Sequence, residues 1–158
     1  HALITQNIDG LHQKAGNSPG RVIEVHGTVH DVVCLSCGRK GPMQAALERV
    51  RSGESDPACK DCGGILKSDT ISFGQPLVPE VIDRAMQAAA EADLFISVGT
   101  SLQVYPIAGA VQIAKQARAR VVIVNAEKTP FDGTADAVLR EPIGETLPRI
   151  LGLTIGAA

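Results

Sequence analysis

Polar side chains follow two short apolar runs near the start of the chain: Gln6, Asn7 and Asp9 after the first run, and His26 after the second. Active sites tend to gather where strands meet loops, because the strand fixes the position and the loop carries the polar groups. Histidine has an unperturbed pKa of about 6.5, which suits proton abstraction near neutral pH. The pattern therefore indicates an active site with His26 as a candidate general base.

The same residues also have structural explanations. Asn and Asp commonly cap helices or close turns, and Asn7 and Asp9 lie just ahead of Gly10. A single histidine is more often a satisfied or solvated residue than a catalytic one. His26 differs in its place at a strand end beside Gly27, where a small residue leaves room for a ligand.

All four cysteines fall in two Cys-x-x-Cys-Gly motifs separated by 21 residues: Cys34 and Cys37, then Cys59 and Cys62. A two-residue gap lets both thiolates of a motif face one ion, and four thiolates close a tetrahedral zinc site with no open position. Two disulfides are the alternative, in a chain without secretory features, and a redox motif would not need a second copy. We therefore predict one structural zinc ion.

The remaining hydrophobic pattern predicts strands that alternate with helices. Strands are expected at residues 2–5, 22–25, 70–73, 94–98, 121–124 and 137–139. Helices are expected at residues 43–50, from Pro79, from Pro106 and at residues 143–151. Alternation with short links favours parallel strands, so the fold class is α/β, a doubly wound Rossmann-like sheet with a small zinc lobe. Residues 31–66 form the predicted lobe, and residues 1–30 and 67–158 form the predicted partial Rossmann-like domain.

Two further polar clusters follow predicted strands: Gly99-Thr100-Ser101 after residues 94–98, and Asn125-Ala126-Glu127 after residues 121–124. Ligands of doubly wound folds bind at the carboxyl ends of the strands, so we expect both clusters to share one sheet edge with Gln6, Asn7 and Asp9. A carboxylate such as that of Glu127 can accept two hydroxyl protons of a ribose diol. A plain turn and a solvated charge remain the alternatives for these residues. The chain contains no G-x-G-x-x-G motif.

Composition narrows the possible partners. Apolar residues make up 44% of the 158-residue chain and charged residues 20%, which is ample for a core. A net charge of −2 and 3% aromatic residues argue against binding nucleic acid. No apolar run approaches the roughly 18 residues that a membrane span needs, and no secretory signal is evident. We therefore expect a cytoplasmic protein.

These motifs resemble those of the sirtuins, the NAD-dependent protein lysine deacylases. The resemblance rests on Thr5–His12 with Ala15-Gly16, Glu24–Gly27, the four cysteines, Phe73-Gly74, Gly99–Leu102 with Val104 and Pro106, and Asn125–Glu127. The resemblance spans nearly the whole chain. So many motifs in the same order make coincidence a poor explanation.

The resemblance implies NAD as co-substrate and assigns roles to particular positions. Gln6, Asn7 and Asp9 would line the pocket for nicotinamide and its ribose, with His26 as general base and Asn7 beside it as a catalytic residue. The adenosine half would be held by Gly99, Thr100, Ser101, Asn125 and Glu127, with a backbone contact to adenine at Ile143. An acyl-lysine peptide would lie as an extra strand between Phe73-Gly74-Gln75 and Leu102-Gln103-Val104.

The chemistry implied is transfer of the acyl group to ADP-ribose. The acyl oxygen attacks the anomeric carbon and nicotinamide leaves, after which His26 draws a proton from the ribose diol. The oxygen of that ribose hydroxyl then attacks the imidate carbon, and water releases free lysine and O-acyl-ADP-ribose. The zinc ion takes no part in these steps.

Two departures from the family pattern bear on this expectation. Gln75 stands where sirtuins commonly have Glu, which changes the charge beside the peptide. The chain also begins at His1, without the family's first strand, glycine-rich phosphate loop and Asp-Phe-Arg motif. We therefore expect this chain alone to bind NAD poorly and to be inactive, and a longer chain to be the enzyme.

Two other functions are compatible with the same residues. A protein ADP-ribosyltransferase would release nicotinamide without an acyl peptide. A zinc-stabilised module that binds NAD or acylated tails would not need His26 as a base.

Overall fold

The computed structural model describes residues 1–152, which divide into two compact units. The first unit comprises residues 2–81, and the second begins at Ile82. The predicted lobe of residues 31–66 lies inside the first unit, and its boundaries stay a prediction. Among the described residues, no helix combines the length and apolar character that a membrane span requires.

The first unit contains five strands and two complete helices. They are β1 (Leu3–Thr5), α1 (Leu11–Lys14), β2 (Val22–Glu24), β3 (Gly27–Cys34), β4 (Lys40–Pro42), α2 (Met43–Arg51) and β5 (Leu66–Thr70). β1 and β2 run parallel, with Leu3 opposite Val22 and Thr5 opposite Glu24. β3 is the central strand of an antiparallel ribbon in the order β4-β3-β5.

The second unit is a parallel sheet with helices. Its elements are β6 (Leu94–Val98), α4 (Ala110–Gln116), β7 (Arg120–Val124), β8 (Ala137–Leu139) and α5 (Ile143–Ile150), with a 3-10 turn at Ile107–Gly109. α3 (Pro79–Ala90) spans the boundary between the units. The sheet order is β6-β7-β8, and β7 pairs in parallel with both neighbours. β6 and β7 are linked through α4 and pair in parallel, as the sequence predicts, whereas the segment between β7 and β8 is not helical.

The core of the second unit lies between β7 and the helix that precedes it. Val121, Ile123 and Val111 are almost completely buried, and Leu102 and Phe131 pack in the same cluster. β7 is buried because it is the central strand of its sheet. The apolar run at residues 121–124 therefore has the predicted environment.

β6 differs from the prediction that a continuous apolar run is covered on both faces. Leu94, Ile96 and Val98 are exposed by 52%, 39% and 38%, while Ser97 is buried and Phe95 packs against the core. Side chains alternate between the two faces of a strand. Only one face of β6 is therefore covered by the residues that the structure describes.

The parallel strands form two sheets rather than the single sheet that the sequence suggests. β1 pairs only with β2 in the described chain, and β6, β7 and β8 form a separate sheet. The cluster after β1 and the clusters after β6 and β7 consequently end strands of different sheets. The strand expected at residues 70–73 is also displaced, since β5 occupies Leu66–Thr70 and pairs with β3 despite its polar sequence.

The predicted helix starts agree well with the structure. α3 begins at Pro79, where the missing N–H of proline costs no helical hydrogen bond. The helix expected from Pro106 begins as the 3-10 turn and continues as α4. α5 occupies Ile143–Ile150, against an expected 143–151.

Candidate functional site

The parallel pairing of β1 and β2 brings the two N-terminal motifs together. The Val25 amide donates to the Thr5 carbonyl over 3.0 Å, which continues the ladder one residue beyond β2. His26 is half-buried directly after this point, and its Nδ1 lies 3.1 Å from the carbonyl oxygen of Gln6. The predicted base and the predicted polar loop are therefore in direct contact.

This contact determines which nitrogen of His26 can act as a base. A carbonyl oxygen only accepts hydrogen bonds, so Nδ1 carries the proton and donates it to Gln6. In the neutral ring Nε2 then has the free electron pair. The arrangement fixes the tautomer in the way a general base requires.

Asn7 and Asp9 lie in a loop with internal hydrogen bonds. The Asn7 amide donates to Thr5 Oγ1 over 3.1 Å, and the Leu11 amide donates to Asp9 Oδ1 over 3.0 Å. Asp9 therefore stabilises the start of α1, which is the structural role left open for it above. Its assignment to the ribose pocket stays a prediction.

Gly27 has a different role from the one the sequence suggested. It has φ +73°, and a Cβ atom built there would lie 2.0 Å from the Asp69 carbonyl oxygen. The glycine is thus required by the close approach of β3 to β5. The hypothesis that it leaves room for a ligand is wrong, because the space is filled by backbone.

The four cysteines converge as predicted. Their Sγ atoms all lie within 4.8 Å of one another, with 3.5 Å between Cys34 and Cys62 and 3.8 Å between Cys37 and Cys59. Zinc–sulfur bonds of about 2.3 Å in a tetrahedron place sulfurs about 3.8 Å apart. A disulfide would need about 2.05 Å. The four thiols therefore fit one structural zinc ion and are not paired as disulfides.

Electrostatics in the cluster also suit a cation. The backbone amide of Cys37 lowers the pKa of the Cys34 thiol to about 6. At Cys62 the Gly64 amide lowers the pKa, but the neighbouring thiols of Cys37 and Cys34 outweigh it and raise the pKa to about 12. One thiol thus ionises easily, while another is held protonated by its hydrogen bonds to neighbouring cysteines. A bound divalent cation would favour the thiolate form of all four.

The cluster after β6 is shaped by backbone geometry. Gly99 has φ +61°, and its amide donates to the Val124 carbonyl over 2.9 Å. A Cβ atom at Gly99 would lie 3.1 Å from Cδ1 of Ile143, the first residue of α5. The Leu102 amide donates to Thr100 Oγ1, and Ser101 is exposed. The structure therefore brings Gly99 and Ile143 together, and their role in holding adenosine stays a prediction.

The cluster after β7 is held by its own side chains. Asn125 Nδ2 donates to the Glu127 carbonyl over 2.9 Å, and the Asn125 amide donates to the Leu139 carbonyl at the end of β8. The carboxylate of Glu127 is exposed. Asn125 thus shapes the loop that presents Glu127.

Comparison with known proteins identifies the family. The model of the Sir2 family matches residues 1–106. The chain belongs to the Sir2 family. The sirtuin prediction is therefore confirmed, and with it the Rossmann-like fold class with a zinc lobe.

Individual Sir2 relatives match almost the whole chain. The NAD-dependent protein deacetylase 2 of Streptomyces coelicolor is 52% identical over 149 residues, which are 94% of this chain and 62% of that protein. The NAD-dependent protein deacetylase of Saccharolobus solfataricus is 45% identical over 149 residues, 94% of this chain and 58% of that protein. The chain thus spans about three fifths of the length of these curated relatives.

Solved Sir2 structures share the fold. A Sir2 complex with p53 peptide and NAD+ superposes with a TM-score of 0.86 at 34% identity, covering 96% of this chain and 62% of that one. A Sir2 structure bound to acetylated peptide gives 0.87 at the same identity and covers 96% and 63%.

The residue at which this Sir2 chain departs from the commoner Glu has a structural role. Gln75 Oε1 accepts a hydrogen bond from the Ser72 amide over 2.9 Å, and the Gln75 amide donates to the Ser72 carbonyl over 3.0 Å. These two bonds close the turn that presents the fully exposed ring of Phe73. A carboxylate oxygen could make the same bond, so Gln75 keeps the turn and removes one negative charge.

The residues predicted to bind a peptide belong to different units. Phe73, Gly74 and Gln75 belong to the first unit, and the partly exposed Val104 belongs to the second. Their joint role in holding a peptide stays a prediction.

Sequence reasoning missed Arg140, which follows β8. Its guanidinium donates to the backbone carbonyls of Asn125 and Glu127. No motif announces such a contact, since backbone carbonyls exist at every residue. An arginine directly after a predicted strand was the available signal.

Proposed function

We propose that these residues are part of an NAD-dependent protein lysine deacylase that produces nicotinamide, free lysine and O-acyl-ADP-ribose. The observation that carries the proposal is the hydrogen bond from His26 Nδ1 to the Gln6 carbonyl. It joins the two motifs and leaves Nε2 as the proton acceptor. Relatives named as NAD-dependent protein deacetylases and Sir2 structures with acetylated and propionylated peptides support it.

NAD supplies the activated ribose that accepts the acyl group. His26 Nε2 takes a proton from a ribose hydroxyl, which makes that oxygen nucleophilic. Asn7 and Asp9 orient nicotinamide and its ribose from the loop after β1, with Gln6 beside them. Thr100, Ser101 and Glu127 hold the adenosine half by hydroxyl and carboxylate contacts.

The four cysteines hold zinc as a structural ion. Four protein thiolates complete its tetrahedral shell, so none of its positions is open to substrate. Cys34 is the last residue of β3, so the ion would hold the end of that strand remote from His26. Its role is structural, and it takes no part in the chemistry.

The test measures nicotinamide release by the complete reading frame that contains these residues, given NAD with or without an acetyl-lysine peptide. Release that needs the peptide supports deacylation. Release without peptide would favour ADP-ribosyl transfer or NAD hydrolysis. NAD binding without release in either case would favour a binding module.

A His26→Asn variant sharpens this test. The Asn amide can still donate a hydrogen bond towards Gln6 but cannot take up a proton. We expect turnover to fall by at least 100-fold, as general-base loss typically gives, while NAD still binds. His1→Ala, at an exposed histidine outside the predicted site, is the matched control. Normal turnover in His26→Asn would contradict the proposal.

We also propose a cytoplasmic location. Four thiols poised within 4.8 Å of one another bind metal only while they stay reduced. Cell fractionation followed by immunodetection tests this, and recovery of the protein in an oxidising compartment would contradict it.

A further inference from the structure

The guanidinium of Arg140 ties together three segments of the second unit. Its Nη1 donates to the Asn125 carbonyl over 2.7 Å and to the Glu127 carbonyl over 2.5 Å. Its Nη2 forms an ion pair with Asp132. One side chain directly after β8 thus contacts both the start and the middle of the segment that joins β7 to β8.

The partners of Arg140 are themselves fixed. Asp132 Oδ1 accepts hydrogen bonds from the Thr129 hydroxyl over 2.7 Å and from the Thr129 amide over 3.2 Å. The Thr129 hydroxyl and the Arg140 guanidinium both lower the pKa of Asp132, so the carboxylate stays charged near neutral pH. Arg140 therefore has an anionic anchor in Asp132, farther along the same segment between β7 and β8.

The arrangement needs an arginine rather than any cation. Guanidinium has five donors in a rigid planar fork, whereas an ammonium group is a point charge on a flexible stem. The planar fork donates to two carbonyls and one carboxylate from fixed directions, which a single ammonium nitrogen does not reproduce. Arg140 is also partly buried, and charge-assisted hydrogen bonds are stronger where water is partly excluded.

Glu127 is engaged through its backbone carbonyl, and its side chain is exposed. Arg140 and Asn125 Nδ2 both donate to the Glu127 carbonyl. The carboxylate of Glu127 remains exposed at the end of a loop whose backbone is fixed. Such a carboxylate meets a diol with little loss of loop entropy, which is how preorganisation raises affinity.

We propose that Arg140 is a positioning residue for NAD: it fixes the Asn125–Glu127 loop so that the Glu127 carboxylate meets the adenosine ribose. The inference rests on the proposed function, which assigns this loop to the adenosine half. Arg140 itself touches neither the ribose nor the reacting atoms.

The test uses direct binding of ADP-ribose to the complete protein, by calorimetry, together with steady-state kinetics. Arg140→Gln is expected to weaken ADP-ribose binding about 10-fold and to raise the KM for NAD similarly. The kcat at saturating NAD and the KM for acetyl-lysine peptide should change less than about twofold, because the loop acts only on cofactor binding. Arg140→Lys keeps the pair with Asp132 and should restore part of the affinity.

Two further variants separate positioning from general stability. Arg120→Gln removes an exposed arginine at the opposite end of β7 and should leave ADP-ribose affinity unchanged. In a Glu127→Ala background, Arg140→Gln should weaken ADP-ribose binding by less than about twofold, because the carboxylate that Arg140 positions is already gone. Multiplicative losses in the double variant would overturn the proposal, as would equal losses of kcat and peptide affinity.

The binding readout keeps this inference separate from the proposed function. Wild-type protein that binds ADP-ribose but releases no nicotinamide would contradict deacylation and leave the Arg140 test intact. Wild-type protein that binds no ADP-ribose would overturn the role of Arg140.

Discussion

The predicted zinc lobe and the second unit are stabilised by different means. Within residues 31–66 the buried side chains are Val32, Cys34 and Cys59, and α2 buries none of its residues. In the second unit Ile123 is completely buried in a continuous apolar cluster. A metal bound by four thiolates can replace a hydrophobic core when the segment is too small to form one.

Replacing a zinc ligand should give the largest effect. Cys59→Ser is expected to abolish zinc binding and to unfold residues 31–66, because structural zinc contributes about 10–16 kcal/mol in small domains. Metal analysis and amide hydrogen exchange of β3 and β5 measure this. Ser55→Ala, at an exposed position of the same segment, is the control. If Cys59→Ser kept one zinc ion per chain and normal protection from hydrogen exchange, the view that zinc stabilises the lobe in place of a core would be wrong.

A core truncation should act on the second unit alone. Ile123→Ala is expected to lower its free energy of unfolding by about 2–5 kcal/mol, the usual cost of removing a buried isoleucine. Urea denaturation followed by circular dichroism measures the loss, and the zinc content should stay at one ion. Ile150→Ala, at a half-exposed position of α5, should cost far less. Loss of zinc in Ile123→Ala would show that the two regions are coupled.

A smaller effect is expected at Gly10, in the first unit outside the lobe. Gly10 has φ +67°, and a Cβ atom there would lie 2.7 Å from Nε2 of His30, which lies 2.9 Å from the Asp9 carbonyl. Gly10→Ala combines the strain of a left-handed backbone with this clash. It should lower the free energy of unfolding by about 1–3 kcal/mol.

Gly16→Ala provides a matched comparison in urea denaturation. Gly16 also has positive φ, but nothing lies within 4 Å of a Cβ atom there. The difference between their losses in free energy of unfolding measures the clash with His30. Adding His30→Ala to Gly10→Ala should relieve that clash. Equal losses in both would mean that backbone strain explains the whole effect.

The smallest predicted effect is a pH dependence of the second unit. Hydrogen bonds from the Thr129 hydroxyl and Arg140 lower the pKa of Asp132, and Lys115 lowers that of Asp136. A carboxyl whose pKa is lower in the folded state stabilises that state at pH values above its unfolded pKa of about 3.9. This contribution is lost as the pH falls through the folded pKa. The second unit should therefore weaken below about pH 4.

Urea midpoints at descending pH measure this dependence. Asp132→Asn should flatten the profile in the acid range, whereas Asp83→Asn, at an exposed position of α3, should leave it unchanged. An identical acid slope in Asp132→Asn and wild type would contradict the assignment.

Local chemistry explains which features could be predicted. The spacing of Cys34, Cys37, Cys59 and Cys62 defines a metal site because the ligand geometry is short-range. The contact of His26 with the Gln6 loop follows from the parallel pairing of the two strands that precede these residues. The sequence placed both motifs at strand ends and so suggested a shared site.

The features that sequence missed depend on neighbours distant in the chain. Gly27 is explained by the approach of Asp69, and Arg140 by two backbone carbonyls, neither of which leaves a motif. β5 has a polar sequence and is defined by its pairing with β3. The apolar run of β6 indicated a strand correctly but not which faces would be covered. The roles of the cofactor and peptide residues stay predictions.

The exposed face of β6 has a practical consequence for anyone handling the chain. Leu94, Ile96 and Val98 form an aliphatic stripe on a strand at the edge of the sheet that the described residues form. Such an edge attracts other chains through both its side chains and its backbone. Storage life in concentrated solution should therefore be limited by self-association before unfolding, and dilution or mild detergent should extend it.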